Sequence, residues 1–290
     1  MGDAFGRPFE FAPVEHRNKY FALDRYAPVG LESIKQGINQ PGIYTDDTQM
    51  SLAVANHMIS ELSQTHYDYA QVFLSLYKAD RKQGYSRLGY SRRITGLLES
   101  PTAEEFVRQA AKIEPRSSNG CAMRCLPLGL YSTPEQVKHA AVIQTTLTHA
   151  TLDSIIATQY LALMAHYCYH RLTTDFSDWL YSHMPPLDYR DVKNIKNWGE
   201  VSMDALDTVS FVIGNVLEHE KMSEMLECAV RSGGDVDSTC ALSLGLASLM
   251  EDRVNDLHPN LHAKLENGIF GRDYIMEMDK LLFEKYPRNK

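Results

Sequence analysis

An all-α domain is what this chain of 290 residues predicts, on three observations. Apolar residues recur at helical spacing in several long runs, no comparable set of alternating strands appears, and glycine and proline fall between the runs as loop punctuation. The N-terminal "MGDAFGRPFEF" has neither the basic segment nor the apolar core of a secretory signal. After Asp47, the residues Leu52, Ala55, Ile59 and Leu62 recur at spacings of three and four. Met50, Val54 and Met58 widen that stripe until little of the helix is polar, which marks a core helix. "AEEFVRQAAKI" (103–113) reads as an amphipathic surface helix with an acidic first turn. "SIIATQYLALMAHYCYHRL" (154–172) and "DSTCALSLGLASLM" (237–250) read as further core helices. Loops are marked by Pro8, Pro13, Pro28, Pro41 with Gly42, Pro115, Pro134, Pro185 with Pro186, and Gly233 with Gly234. The segment 173–200 is the most irregular and reads as a surface excursion. With no repeat or low-complexity linker, residues 1–290 form one domain.

Composition narrows the function. Lysine and arginine number 29 against 37 acids, for a net charge of −8, so nothing suggests binding to nucleic acid or to an anionic membrane. The longest apolar stretches stop short of a membrane span. The five cysteines, at 121, 125, 168, 228 and 240, form no CxxC pair, and their odd number argues against a disulfide framework. A reducing, cytoplasmic setting is the expectation.

Two acidic clusters stand at the entrances of apolar helices. "YTDDT" (44–48) precedes the first, and "GGDVDS" (233–238) precedes the last. Helix capping and the helix dipole explain either cluster taken alone. If the two entrances converge, four carboxylates meet, and like charges in a desolvated site must protonate or find a counter-charge. Oxygen-only ligands suit magnesium or manganese, with calcium as a further candidate, and two ions sharing carboxylates would satisfy the set.

With both clusters in view, the chain resembles the ADP-ribosylglycohydrolase family, the group related to dinitrogenase reductase-activating glycohydrolase. Five blocks carry the resemblance in family order: "GDAFGRPFEF" (2–11), "TDDT" (45–48), "NGCAMRCLPLG" (119–129), "LTHA" (147–150) and "GGDVDS" (233–238). The resemblance implies an orthogonal helical bundle with a central cleft holding two divalent cations, Mg2+ or Mn2+. The implied activity is hydrolytic release of ADP-ribose from a modified acceptor, with an ADP-ribosylated protein as partner and ADP-ribose as product. Matched onto this sequence, the metal ligands are Thr45, Asp46, Asp47, Asp235, Asp237 and Ser238. Glu10 matches the substrate-gating glutamate, and Glu10 then Asp47 are the candidate bases. Asn119, Gly120, Met123 and Arg124 fall in the block lining the ADP-ribose cleft, and His149 matches a substrate-contacting histidine.

Outside the resemblance, Glu10 reads as a surface acid and His149 as a hydrogen-bonded core histidine. Arg124 reads as a support that pairs with an acid behind the metal site. The "RSSNGCAMR" loop (116–124) offers backbone N–H groups for a diphosphate. The basic, tyrosine-rich stretch 77–96 either rims the cleft or is a solvated face.

The chain departs from the family pattern at three places. It opens at Met1-Gly2-Asp3, so either this member starts short or the sequence is truncated. Ser238 stands where threonine is usual. Arg87 stands before Leu88-Gly89, where some members that act on ADP-ribosyl-arginine carry an acid. ADP-ribosyl-arginine on a protein is the leading substrate; serine-linked ADP-ribose and an ADP-ribosylated small molecule or nucleic acid are alternatives. A non-catalytic, crystallin-like protein is the alternative of another class, against which the retained acids argue.

Overall fold

The computed structural model describes residues 1–28, 40–60, 62–85, 87–172, 175–184, 195 and 198–288. Its regular elements among these residues are all helices, and the extended pairings among them are the isolated bridges Val201–Gly234 and Lys221–Val254. The helices are α1 (Gly2–Gly6), α2 (Val14–Tyr20), α3 (Asp46–Ile59), α4 (His66–Lys82), α5 (Arg92–Leu98), α6 (Ala103–Ala110), α7 (Pro134–Thr146), α8 (Leu152–His170), α9 (Phe176–His183), α10 (Ala205–Glu218), α11 (Met222–Ser232), α12 (Val236–Ala247), α13 (Pro259–Ala263) and α14 (Arg272–Lys285). Short 3-10 turns cover Arg7–Phe9, Asn119–Cys121 and Leu126–Leu130. Among the described residues no helix is long and apolar enough to cross a membrane. Most of the expected surface excursion, with Pro185 and Pro186, lies outside the described residues.

The caps follow the local sequence. The side chains of Thr65, Ser91, Thr102, Thr133 and Thr151 each accept a backbone N–H in the first turn of the helix they precede, and Thr133 with Gln136 completes a capping box behind Pro134. Helix α6 is amphipathic as expected, with Phe106 fully buried on its inner face, a burial of about 1.5–3 kcal/mol. It ends at Ala110 rather than Ile113, and α3 likewise stops before Leu62, which packs on the core from the loop.

The three apolar runs are α3, α8 and α12, and each is buried on several faces. Helix α10 packs against both α8 and α12, α7 covers α8, and α3 contacts α12. Helix α1 lies directly on α12. A Cβ on Gly2 would come within 2.3 Å of the Cys240 carbonyl oxygen, and one on Gly6 within 2.4 Å of that of Val236. The opening glycines thus seat a short helix backbone-to-backbone on α12, so the chain that follows, Glu10 included, arrives at the α12 N-terminus.

Candidate active site

Both acidic entrances open into one cleft. Its walls include Glu10, Asp46, Asp47, Asn119, Gly120, Met123, Arg124, His149, Asp235, Asp237 and Ser238. Every site residue expected from the sequence is therefore brought to the cleft except Thr45. That residue lies behind it, where its hydroxyl accepts from the Asp47 N–H at 3.4 Å and donates to Asp47 Oδ2 at 3.3 Å.

The α3 entrance is capped from outside. The buried Asp3 carboxylate accepts the N–H groups of Thr45 (2.9 Å) and Thr48 (3.0 Å) and the Thr48 hydroxyl (2.6 Å). Asp3, inside the first block, supplies the carboxylate that capping needs. Asp46 and Asp47 are thereby left for the cleft, and Asp47 Oδ1 is buried with no hydrogen-bond partner.

At the α12 entrance Asp235 makes no side-chain cap hydrogen bond, while Asp237 Oδ1 accepts the Ser238 N–H at 3.0 Å. Gly233 and Gly234 both have φ of +78°, and a Cβ on either would strike Arg17 Nη1 or the Val201 carbonyl within 2 Å, so only glycine fits. The turn is pinned by Phe11 N–H donating to the Gly234 carbonyl (2.8 Å) and Asp235 N–H to that of Val201 (2.9 Å). Because Phe11 follows Glu10, the same pinning sets Glu10 beside Asp235. Single carboxylate oxygens of Glu10, Asp235 and Asp237 lie within 4.8 Å of one another. Ser238 faces the Asp47 carboxylate, which closes the ring between the two entrances.

The electrostatics are one-sided. Burial, then Asp235 and Asp3, raise the Glu10 carboxyl to about 7. Burial with neighbouring carboxylates likewise holds Asp46, Asp47 and Asp237 well above the ordinary range. The two helix N-termini offset about half a charge each. Arg7 is the near cation that sequence reading missed. Burial lowers its pKa, and it makes no ion pair among the described residues: Nη1 donates to the Ile43 carbonyl at 3.2 Å, and Nη2 is buried without a partner. A set of hard oxygen donors, an orphaned carboxylate oxygen and a deficit of positive charge together fit divalent cations.

The opposite wall is held by side-chain hydrogen bonds. Asn119 Nδ2 donates to Asp235 Oδ2 (2.6 Å) and Thr208 Oγ1 (3.0 Å), so this amide orients the acid. The Asn119 backbone N–H is bonded to the Met203 carbonyl, so the diphosphate cradle expected of 116–124 loses that donor. Arg124, buried above the Phe73 ring, donates to the Gln144 side chain and carbonyl and to Thr148 Oγ1. Among the described residues it pairs with no acid, contrary to expectation. The neutral partners suffice because burial lowers its pKa only to about 10, leaving it cationic. Thr148 Oγ1 is in turn 2.8 Å from His149 Nδ1, so the Arg124–Thr148 relay leaves Nε2 as the ring donor, beside Gly120. Burial and then Arg124 lower the His149 pKa well below its usual value, so the ring is neutral.

The basic stretch 77–96 divides. Lys78 binds the carbonyls of Ser100 and Pro101, Arg81 pairs with Glu99, and Arg87 is buried away from the cleft. The cleft receives Gly89, Tyr90, Ser91 and Ile94 instead. As an expected cleft rim, 77–96 does not by sequence separate these inward members from the others, because a charge run hides which members turn inward, and Met203 lies outside every expected block.

The sequence model of the ADP-ribosylglycohydrolase family matches residues 1–290. An ADP-ribosylhydrolase ARH3 of Gallus gallus is 27% identical over 242 residues, 74% of this chain and 66% of that protein. The Mus musculus ARH3 is 26% identical over 67% of this chain and 55% of its own length, so the chain spans less than two thirds of these relatives. The ADP-ribosyl-dinitrogen reductase glycohydrolase of Rhodospirillum rubrum is 25% identical over 97% of this chain and 92% of its own. A solved structure described as an ADP-ribosylglycohydrolase-related protein complex superposes with a TM-score of 0.68 at 21% identity, covering 98% of this chain and 93% of that one.

Proposed function

We propose that this chain, which belongs to the ADP-ribosylglycohydrolase family, is a divalent-cation-dependent hydrolase that releases ADP-ribose from a modified protein side chain, with arginine as the preferred acceptor. The observation that carries the cation dependence is the convergence of Glu10, Asp46, Asp47, Asp235 and Asp237 in one cleft without a paired cationic side chain among the described residues, Asp47 Oδ1 being orphaned. Asp46, Asp47, Asp235, Asp237 and Ser238 would hold two Mg2+ or Mn2+ ions, while Thr45, behind the cleft, holds Asp47 through its hydroxyl. When bound, such ions polarise ribose hydroxyls and water.

The chain's own groups divide the remaining work. Glu10, half-buried at the cleft wall with a pKa about 7, is the first candidate to take a proton from the attacking water, and Asp47 is the second. The carboxylates also stabilise the oxocarbenium-like charge that develops at the anomeric carbon as the acceptor leaves. His149 Nε2–H and the 118–120 turn contact the nucleotide portion, and Met203, Tyr90 and Ile94 shield it from water. Arginine stands ahead of serine on the sequence resemblance alone, because two bound divalent cations would neutralise most of the acid in the cleft. Arg87, at the position where an acid would mark arginine-acting members, is buried elsewhere and bears on neither linkage.

The test is release of ADP-ribose from an arginine-linked and a serine-linked protein substrate, each with Mn2+, Mg2+ or a chelator. Release from the arginine-linked substrate only, abolished by chelator, is expected. Release from the serine-linked substrate alone would reassign the acceptor, and release from neither would overturn both linkages.

A further inference from the structure

Behind the cleft, Arg87 forms a second buried charge cluster. Its side chain is 1% exposed, and its Nε and Nη2 donate to the two carboxylate oxygens of Asp80 at 2.6 and 3.3 Å. Nη1 lies 2.7 Å from Glu266 Oε1, an ion-pair contact without hydrogen-bond alignment. The guanidinium is stacked 3.7 Å from the centre of the Tyr44 ring. Each partner belongs to a different part of the cleft's support. Tyr44 immediately precedes the first acidic motif. Asp80 also accepts from Gln49 Nε2 (2.6 Å), and Gln49 Oε1 accepts from the Tyr90 hydroxyl (2.6 Å) on the cleft wall. Glu266 is tied through its N–H to the Gly42 carbonyl at 3.0 Å.

The residues after Arg87 meet Asp46 directly. The Leu88 carbonyl accepts the Asp46 N–H at 3.0 Å. Gly89, with φ of +99°, leaves its Cβ position to the Asp46 carboxylate, since a Cβ there would lie 1.7 Å from Oδ1. Asp46 is thus clamped on one side by its own helix and on the other by a turn that Arg87 anchors.

We propose that Arg87 is a positioning residue for the cation site: it locks the 88–90 turn to Tyr44 and α4, and so fixes the Asp46 carboxylate without touching the cleft. The inference rests on the cation reading above. The experiment is a calorimetric Mn2+ titration of the full chain, wild type against Arg87→Lys and Glu266→Gln, with circular dichroism to establish that each variant is folded. Lysine keeps the charge but cannot bridge Asp80 bidentately while reaching Glu266. The expected result is Mn2+ affinity about tenfold weaker in Arg87→Lys, at the lower end of the range for outer partners of metal ligands, and weakened by a smaller factor in Glu266→Gln. Phe106→Leu, which loosens the core beneath α6 away from the cleft, separates positioning from mere destabilisation and should leave affinity unchanged. Equal affinity in wild type and both folded Arg87-cluster variants overturns the proposal, as does equal weakening by Phe106→Leu. If Arg87→Lys does not fold, Glu266→Gln alone decides. Wild type that binds no Mn2+ would overturn the cation reading itself.

Discussion

The molecule carries two buried clusters of charge that differ in one respect, their balance. Around Arg87, two carboxylates share one guanidinium, which also stacks on Tyr44. In the cleft, five carboxylates face one another, while Arg7 gives its hydrogen bond to a carbonyl and Arg124, on the wall, gives its own to neutral groups. A cluster in which each carboxylate touches a guanidinium explains itself as structure. An unbalanced one is stable only with protons or an added cation, so the difference in balance, rather than acidity as such, marks the site.

The sharpest way to break this comparison is to remove charge from each side. Asp46→Ala with Asp47→Ala should reduce ADP-ribose release by about 10³-fold, a loss comparable to deleting a major electrostatic contributor to a transition state. The same pair should raise the metal-free melting temperature by a few degrees, because like-charge repulsion is relieved. Arg87→Met should do the reverse, lowering stability by about 3–5 kcal/mol in chemical denaturation, because Asp80 and Glu266 are left buried and unpaired. If both substitutions moved stability in the same direction, the contrast would be lost.

pH sharpens it further. Glu10, raised to about 7, and Asp46, Asp47 and Asp237, also raised, bind protons more tightly in the folded chain than in the unfolded one. Stability of the metal-free protein should therefore fall as pH climbs from about 5 to 8. Added Mn2+ should remove most of that fall, because ion binding displaces the protons. Thermal melts across this range, with and without Mn2+, measure it. The smallest effect expected is that of His149→Ala. Losing one neutral donor should raise KM about fivefold with little change in cation affinity, consistent with about 1 kcal/mol for such a hydrogen bond.

Much of this was legible in the sequence because the signals were local. Helices α3, α8 and α12 are apolar on nearly every face, and acids set against such runs stand out. Helix α10 was harder: its β-branched and aromatic "TVSFVI" run reads equally as a buried strand, and tertiary contact with α8 and α12 decides the matter. Helix α4 mixes tyrosine, aspartate and lysine too evenly for its pattern to stand out. At the site, the pairing of motifs predicted the convergence, but the division of labour depended on distant partners. That Asp3 caps α3, leaving Asp46 and Asp47 to the cleft, joins residues more than forty positions apart. That Arg87 is buried depends on Glu266, so its neighbours in sequence suggested a cleft rim or a solvated basic run and not a buried ion pair.

The central claim, that the unbalanced cluster is a cation site, is tested most directly by counting bound Mn2+ per chain by electron paramagnetic resonance, for wild type and for Asp46→Asn with Asp235→Asn. Saturable binding of two ions by wild type, lost in the folded double variant, is the predicted result. No saturable binding by wild type, or binding that survives both substitutions unchanged, would contradict it.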